Sequence, residues 1–163
     1  MNIKTFDIKG FIDGHESSIT DKRNDRRKQT NEVFTPFEII ERMCEMVPEE
    51  SWADPEKTFL EPTFGNGNIV LYILWRRMAA GVDWQTAVKT LYGTELMQDN
   101  VKECKERILE MLRCMKVTFN EAEVESIMER NLVCADFMEW DFHNWEPYSG
   151  KDQENDSGSI PLF

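Results

Sequence analysis

Ile39, Ile40, Met43, Cys44 and Val47 recur at the three-to-four-residue spacing of an amphipathic helix, and the residues ahead of them spell its start. Thr35 is placed to cap, Pro36 suits the first helical position, Glu38 completes a capping box, and Pro48 closes the segment. Ser51 to Lys57 reads as a loop. The period then changes. Thr58-Phe59-Leu60 is a short apolar run suited to a buried strand, and it leads into Glu61-Pro62-Thr63-Phe64-Gly65-Asn66-Gly67-Asn68 and an apolar stretch from Ile69 to Trp75. Strand, glycine loop and helix follow in that order, the helix ending near Gly81.

The same alternation repeats downstream. Asp83 caps a short helix through Lys89, Leu91 to Glu95 reads as a second strand, and Val101, Cys104, Ile108, Met111, Leu112 and Met115 form one stripe of a long helix. Asn120, with Glu123 three residues on, opens another helix through Glu129. Asn131 to Cys134 is a third strand, running into Ala135-Asp136-Phe137. Strands alternating with helices predict an α/β fold: a parallel sheet of about three strands (near 58–61, 91–95 and 131–134) with helices on its faces. Phe6, Ile8 and Phe11 suggest a short extended segment, followed by a charged linker that completes residues 1–30. Residues 31–142 then form the domain, and 143–163 a flexible acidic tail with an apolar end.

Composition narrows the function. The 163 residues carry 31 acidic side chains against 19 Lys and Arg, a net charge of -12, and 40% are hydrophobic, enough for one cored domain. No apolar run approaches bilayer length and no signal-peptide pattern opens the chain, so a soluble, cytoplasmic protein is expected, with no membrane partner. The summed charge repels phosphate, so DNA is expected to bind only weakly or through a partner. The one basic cluster, Lys22, Arg23, Arg26, Arg27 and Lys28, reads first as a solvated linker and second as a phosphate-contacting arm. Cys44, Cys104, Cys114 and Cys134 contain no C-x-x-C pair, and only His15 and His143 could assist them, which argues against a metal site. Each cysteine falls at an apolar position and reads as a core residue in a reducing compartment.

Ligands on parallel sheets bind at the carboxyl ends of the strands, and all three ends here carry an acid. Gly65 and Gly67 allow a tight turn and close backbone approach. There is no Walker lysine, the third glycine of the dinucleotide fingerprint is missing, and Glu61 would repel a pyrophosphate. A cationic or zwitterionic ligand fits better. Glu95 stands where an acid accepts two hydrogen bonds from ribose hydroxyls, and Asp136 where one accepts from an exocyclic amine. Together they describe a pocket for a nucleoside with a positively charged appendage.

These residues resemble the S-adenosylmethionine-dependent DNA adenine-N6 methyltransferases of restriction-modification systems and bacteriophages. Asn31-Glu32-Val33-Phe34-Thr35-Pro36 looks like that family's lead-in, whose threonine-proline turn lies against the methionine part of the cofactor. Leu60 to Gly67 is similar to the acidic-Pro-x-x-Gly-x-Gly motif around the same moiety, Tyr92-Gly93-Thr94-Glu95-Leu96 to the ribose-binding strand end, and Cys134-Ala135-Asp136-Phe137 to the adenine-binding motif. The likeness covers about Asn31 to Trp140 and implies a Rossmann-like methyltransferase half. Its implied cofactor contacts are Thr35, Pro36, Glu61, Pro62, Gly65, Gly67, Asn68, Glu95, Leu96, Asp136 and Phe137, with S-adenosylmethionine as cofactor.

The departure is equally specific. The family follows its adenine motif with a strand ending in Asn or Asp-Pro-Pro-Tyr or Phe, which holds the target amine and stacks on a flipped base. No such motif occurs here, and Asn144-Trp145-Glu146-Pro147-Tyr148 has the wrong spacing. The resemblance therefore implies a fold truncated after the adenine motif, with no catalytic residue of its own. Three functions are open: the cofactor-binding subunit of a split methyltransferase, a catalytically dead adaptor or regulator, or a cofactor-consuming anti-restriction enzyme. The first strand would keep a bare edge, to be covered by the segment around Phe6 to Phe11, by a second copy, or by a partner. Ser159-Ile160-Pro161-Leu162-Phe163 resembles the short peptides that dock on the bacterial sliding clamp, with Ile160, Leu162 and Phe163 as anchors.

Overall fold

The computed structural model describes residues 3–18 and 35–148. Its centre is a three-stranded parallel sheet, β1 (Phe59–Glu61), β2 (Leu91–Glu95) and β3 (Leu132–Cys134), in that spatial order. Phe59 is in register with Leu91 and Glu61 with Gly93, while Gly93 pairs with Leu132 and Glu95 with Cys134, so the carboxyl ends of all three strands lie along one rim. The first connection runs through α4 (Asn68–Ala79) and α5 (Trp84–Lys89), the second through α6 (Gln98–Cys114) and α7 (Glu121–Asn131). Strand order advances in one direction, and right-handed crossovers then bring both helical connections to the same face.

That face holds the core. Leu91 and Leu132 are buried on it, beneath Leu71, Leu74, Ile108, Met111, Leu112 and Met128. Asp83 caps α5 by accepting from the Thr86 N–H and Asn120 caps α7 by accepting from the Glu123 N–H, as the sequence spacing implies. At the end of α7 the Asn131 side chain donates to the carbonyls of Val88, Lys89 and Leu91, turning the helix directly into β3.

The N-terminal part departs from the extended reading. Ile8–Ser18 is a helix, α1, preceded by a 3-10 turn at Ile3–Thr5. Ile8 and Ile12, one helical turn apart, are both buried, and α1 packs on α2 (Phe37–Glu45) and α4, not along β1. Lys9 pairs with Glu38 at 2.6 Å, and the N-cap of α2 is Pro36, without a side-chain cap, so the expected capping box is not formed. The loop expected from Ser51 begins instead as a short helix, α3 (Glu49–Ala53), after Pro48. It seats Trp52 flat against Phe59 with centroids 5.0 Å apart.

Structure also continues past residue 142. Trp140–Asp141 (β4) and Glu146–Pro147 (β5) form an antiparallel hairpin. The Asp141 carboxylate closes its turn by accepting from the N–H groups of His143 and Asn144 and from the Asn144 side chain at 2.8 Å. Those bonds hold the Asp141 carboxyl below its ordinary range. Among the described residues no helix is long and apolar enough to cross a membrane.

Candidate functional site

The loop after β1 is built from within. Gly65 and Gly67 both have positive φ (53° and 95°), and a Cβ on Gly67 would lie 2.5 Å from Cys104 Sγ, so α4 can approach α6 this closely only with glycine at its start. From β2, Glu95 reaches across: one carboxylate oxygen accepts from the Gly65 N–H at 2.9 Å and the other from the Met97 N–H at 2.9 Å. From α6, the Arg107 guanidinium donates to the Asn66 carbonyl and to Asn68 Oδ1, each at 2.8 Å. Burial brings the Arg107 pKa down to about 10.

Two flanking segments close on the same loop. The Asn68 side chain donates to the Thr35 carbonyl at 3.4 Å, joining the threonine-proline turn to the helix start. Glu103 accepts from the Asn66 side chain at 3.2 Å and meets His15 Nε2 at 2.7 Å, which fastens α1 over the loop. Burial disfavours the Glu103 carboxylate, but His15, Asn66 and Arg107 outweigh it and hold its pKa low.

The three expected acids differ in environment. Glu61 is half-buried, accepts from the Thr63 N–H at 3.3 Å, and is pushed up in pKa by its partial desolvation. Among the described residues no cation forms an ion pair with it. Glu95 is buried and committed to the backbone, although each oxygen keeps lone pairs. Asp136 is exposed and accepts from the Met138 N–H at 2.8 Å, capping a 3-10 turn at Phe137–Glu139. Leu96 (66% exposed) and Phe137 (37% exposed) stand on the rim beside it. Pro62 lends its carbonyl to the Thr94 hydroxyl, which anchors the loop to β2.

The sequence-selected residues thus collect at the carboxyl rim: Glu61, Pro62, Gly65 and Gly67 on one loop, Thr35 and Asn68 bonded beside it, Glu95 bonded into it, and Leu96, Asp136 and Phe137 at the far strand ends. Ala135 N–H donates to the Glu95 carbonyl at 3.0 Å, joining the second and third ends. Pro36 is exposed at the start of α2. Arg107, Glu103, Asn66 and His15 join the site from outside the expected contacts. Arg107 was legible in principle, since it lies inside the arc of Cys104, Ile108 and Met111 and no charge stays in such a stripe without partners.

Cys44 and Cys104 are core residues, as expected, but Cys114 and Cys134 are exposed. Cys114 ends α6 and Cys134 ends β3, where burial gives out. Asn144, the polar residue nearest to a catalytic asparagine in sequence, is spent on the hairpin turn. No family model, curated protein or solved structure matches this chain.

Proposed function

We propose that the carboxyl rim of the sheet binds S-adenosylmethionine, and that the protein is a cofactor-binding unit of the DNA adenine-N6 methyltransferase lineage that relies on another polypeptide segment for catalysis. The observation that carries this reading is the gathering of Glu61, Glu95 and Asp136 at three adjacent parallel strand ends around a glycine loop. The residues fit the group. Glu61 is a half-buried carboxylate whose pKa desolvation raises, the state that a bound cation relieves. Leu96 and Phe137 offer exposed apolar surface for a ring, next to Asp136.

In this reading Glu61, with the Thr35-Pro36 turn and the Gly65–Gly67 loop, holds the methionine part. Glu95 accepts from ribose hydroxyls with its remaining lone pairs, and Asp136 from the adenine amine. The bound cofactor would supply an electrophilic methyl group. No described residue is placed to hold a target amine, so the chain by itself is expected to transfer no methyl group to adenine in DNA.

Calorimetric titration with S-adenosylmethionine tests the reading. Binding is expected, and Glu95→Gln should weaken it by about 1.5–3 kcal/mol, the worth of hydrogen bonds to a charged acceptor. Absence of binding to the unsubstituted chain overturns it. One observation favours a second reading, a catalytically dead adaptor: Glu95 already satisfies two backbone N–H groups without a ligand. Docking on a sliding clamp through Ile160, Leu162 and Phe163 belongs with that reading, and those residues lie outside the described ones, as do Lys22 to Lys28.

A further inference from the structure

β1 is the outermost strand of the sheet, and among the described residues nothing pairs with its outer side. The Phe59 N–H donates inward to the Thr90 carbonyl at 2.8 Å, so by strand alternation the N–H and C=O groups of Thr58 and Leu60 point outward. Their side chains lie on the face opposite the helices, where Leu60 stands beside Tyr92 and is 44% exposed. A cavity of about 310 Å³ opens at this point, walled by Thr58, Leu60, Tyr92, Phe142, His143 and Trp145. An unpaired edge beside a side-chain pocket is the arrangement that accepts an added strand: backbone bonds give affinity, and the pocket selects alternate side chains.

We propose that this edge and cavity dock the chain's own segment Ser159–Phe163, added antiparallel to β1 with Ile160 opposite Leu60 and Leu162 opposite Thr58. The pattern Ile-Pro-Leu suits that register. In an antiparallel pair the residues facing Thr58 and Leu60 turn their N–H and C=O groups toward β1 and their side chains to the same face, which directs Ile160 and Leu162 to the cavity. Pro161 then falls opposite Phe59, where an edge strand turns its missing N–H outward and loses nothing. Reach is sufficient. Tyr148 follows β5, the strand next to Trp145, and the twelve residues from there to Ile160 can span roughly 40 Å when extended. A tether of this length holds the segment at an effective concentration on the order of millimolar, so modest affinity suffices. A second copy is the less favourable occupant, because two chains of net charge -12 repel.

The test is amide hydrogen exchange on the full chain, compared with a Leu162→Asp/Phe163→Asp variant. The Leu60 amide is expected to exchange several-fold more slowly in the parent, with the Trp145 indole resonance displaced between the two. A synthetic peptide of residues 149–163 added to the variant should restore both signals. Equal exchange at Leu60 and superimposable indole resonances overturn the proposal, and so does protection that fades on dilution, which would mean that a second copy occupies the edge. Because the variant leaves the carboxyl rim untouched, its titration with S-adenosylmethionine is read independently of this outcome.

Discussion

The two faces of one small sheet have been finished in different ways. On the helix face Phe59 lies between the Trp52 ring and the Arg77 guanidinium, 4.9 Å from its centroid, and Arg77 itself donates to the carbonyls of Lys57 and Asp54. Leu91 and Leu132 are each 2% exposed there. On the other face Tyr92 meets the edge of Trp145 at 4.8 Å, within a cluster completed by Trp140 and Phe142. Parallel strands are ordinarily covered on both sides. Here the strand order sends both helical connections to one face and leaves the other to a hairpin of two-residue strands, so stability is concentrated on one face and accessible surface on the other.

Substitutions on the two faces should therefore differ in cost. Trp52→Ala, which empties the slot over Phe59, is expected to lose about 4 kcal/mol in denaturant unfolding. Gly67→Ala combines a positive φ with a Cβ driven onto Cys104, and should cost about 3 kcal/mol; a loss below 1 kcal/mol would mean that α4 and α6 can separate freely. Trp145→Ala removes ring contacts on the thin face and is expected to cost only about 1 kcal/mol, and a loss as large as that of Trp52 would abolish the contrast. The smallest effect belongs to Glu61. Its carboxyl is raised by burial, so the folded chain keeps the proton to higher pH than the unfolded chain does. Stability then falls as pH rises from the ordinary glutamate range through the raised value. Glu61→Gln should flatten this slope in thermal unfolding series, while weakening S-adenosylmethionine binding if the rim acts as proposed.

Strands and glycine loop were legible because each rests on local pattern. The second strand runs at its expected bounds, and the first and third begin one residue later than expected. α1 was not legible, since Gly10 and Gly14 dilute its helical signal and Phe6, Ile8 and Phe11 mimic strand alternation. The hairpin escaped for a different reason: its turn depends on Asp141 gathering two backbone N–H groups and one side chain, with Trp145 at φ 57°, a conformation a bulky residue rarely takes. At the rim, the acids declared themselves through strand ends. The His15–Glu103 contact joins residues 88 positions apart, and no local spacing announces such a pair.

The division of the four thiols makes the molecule its own reporter. Burial pushes Cys44 up to about 11 and Cys104 up to about 12, so neither forms appreciable thiolate at neutral pH, whereas Cys114 and Cys134 face solvent. Cys134 closes β3 at the carboxyl rim, and Cys114 sits at the far end of α6. Their alkylation rates, measured in the same sample, give a footprint with a built-in reference: a ligand on the rim slows labelling at one thiol and leaves the other unchanged.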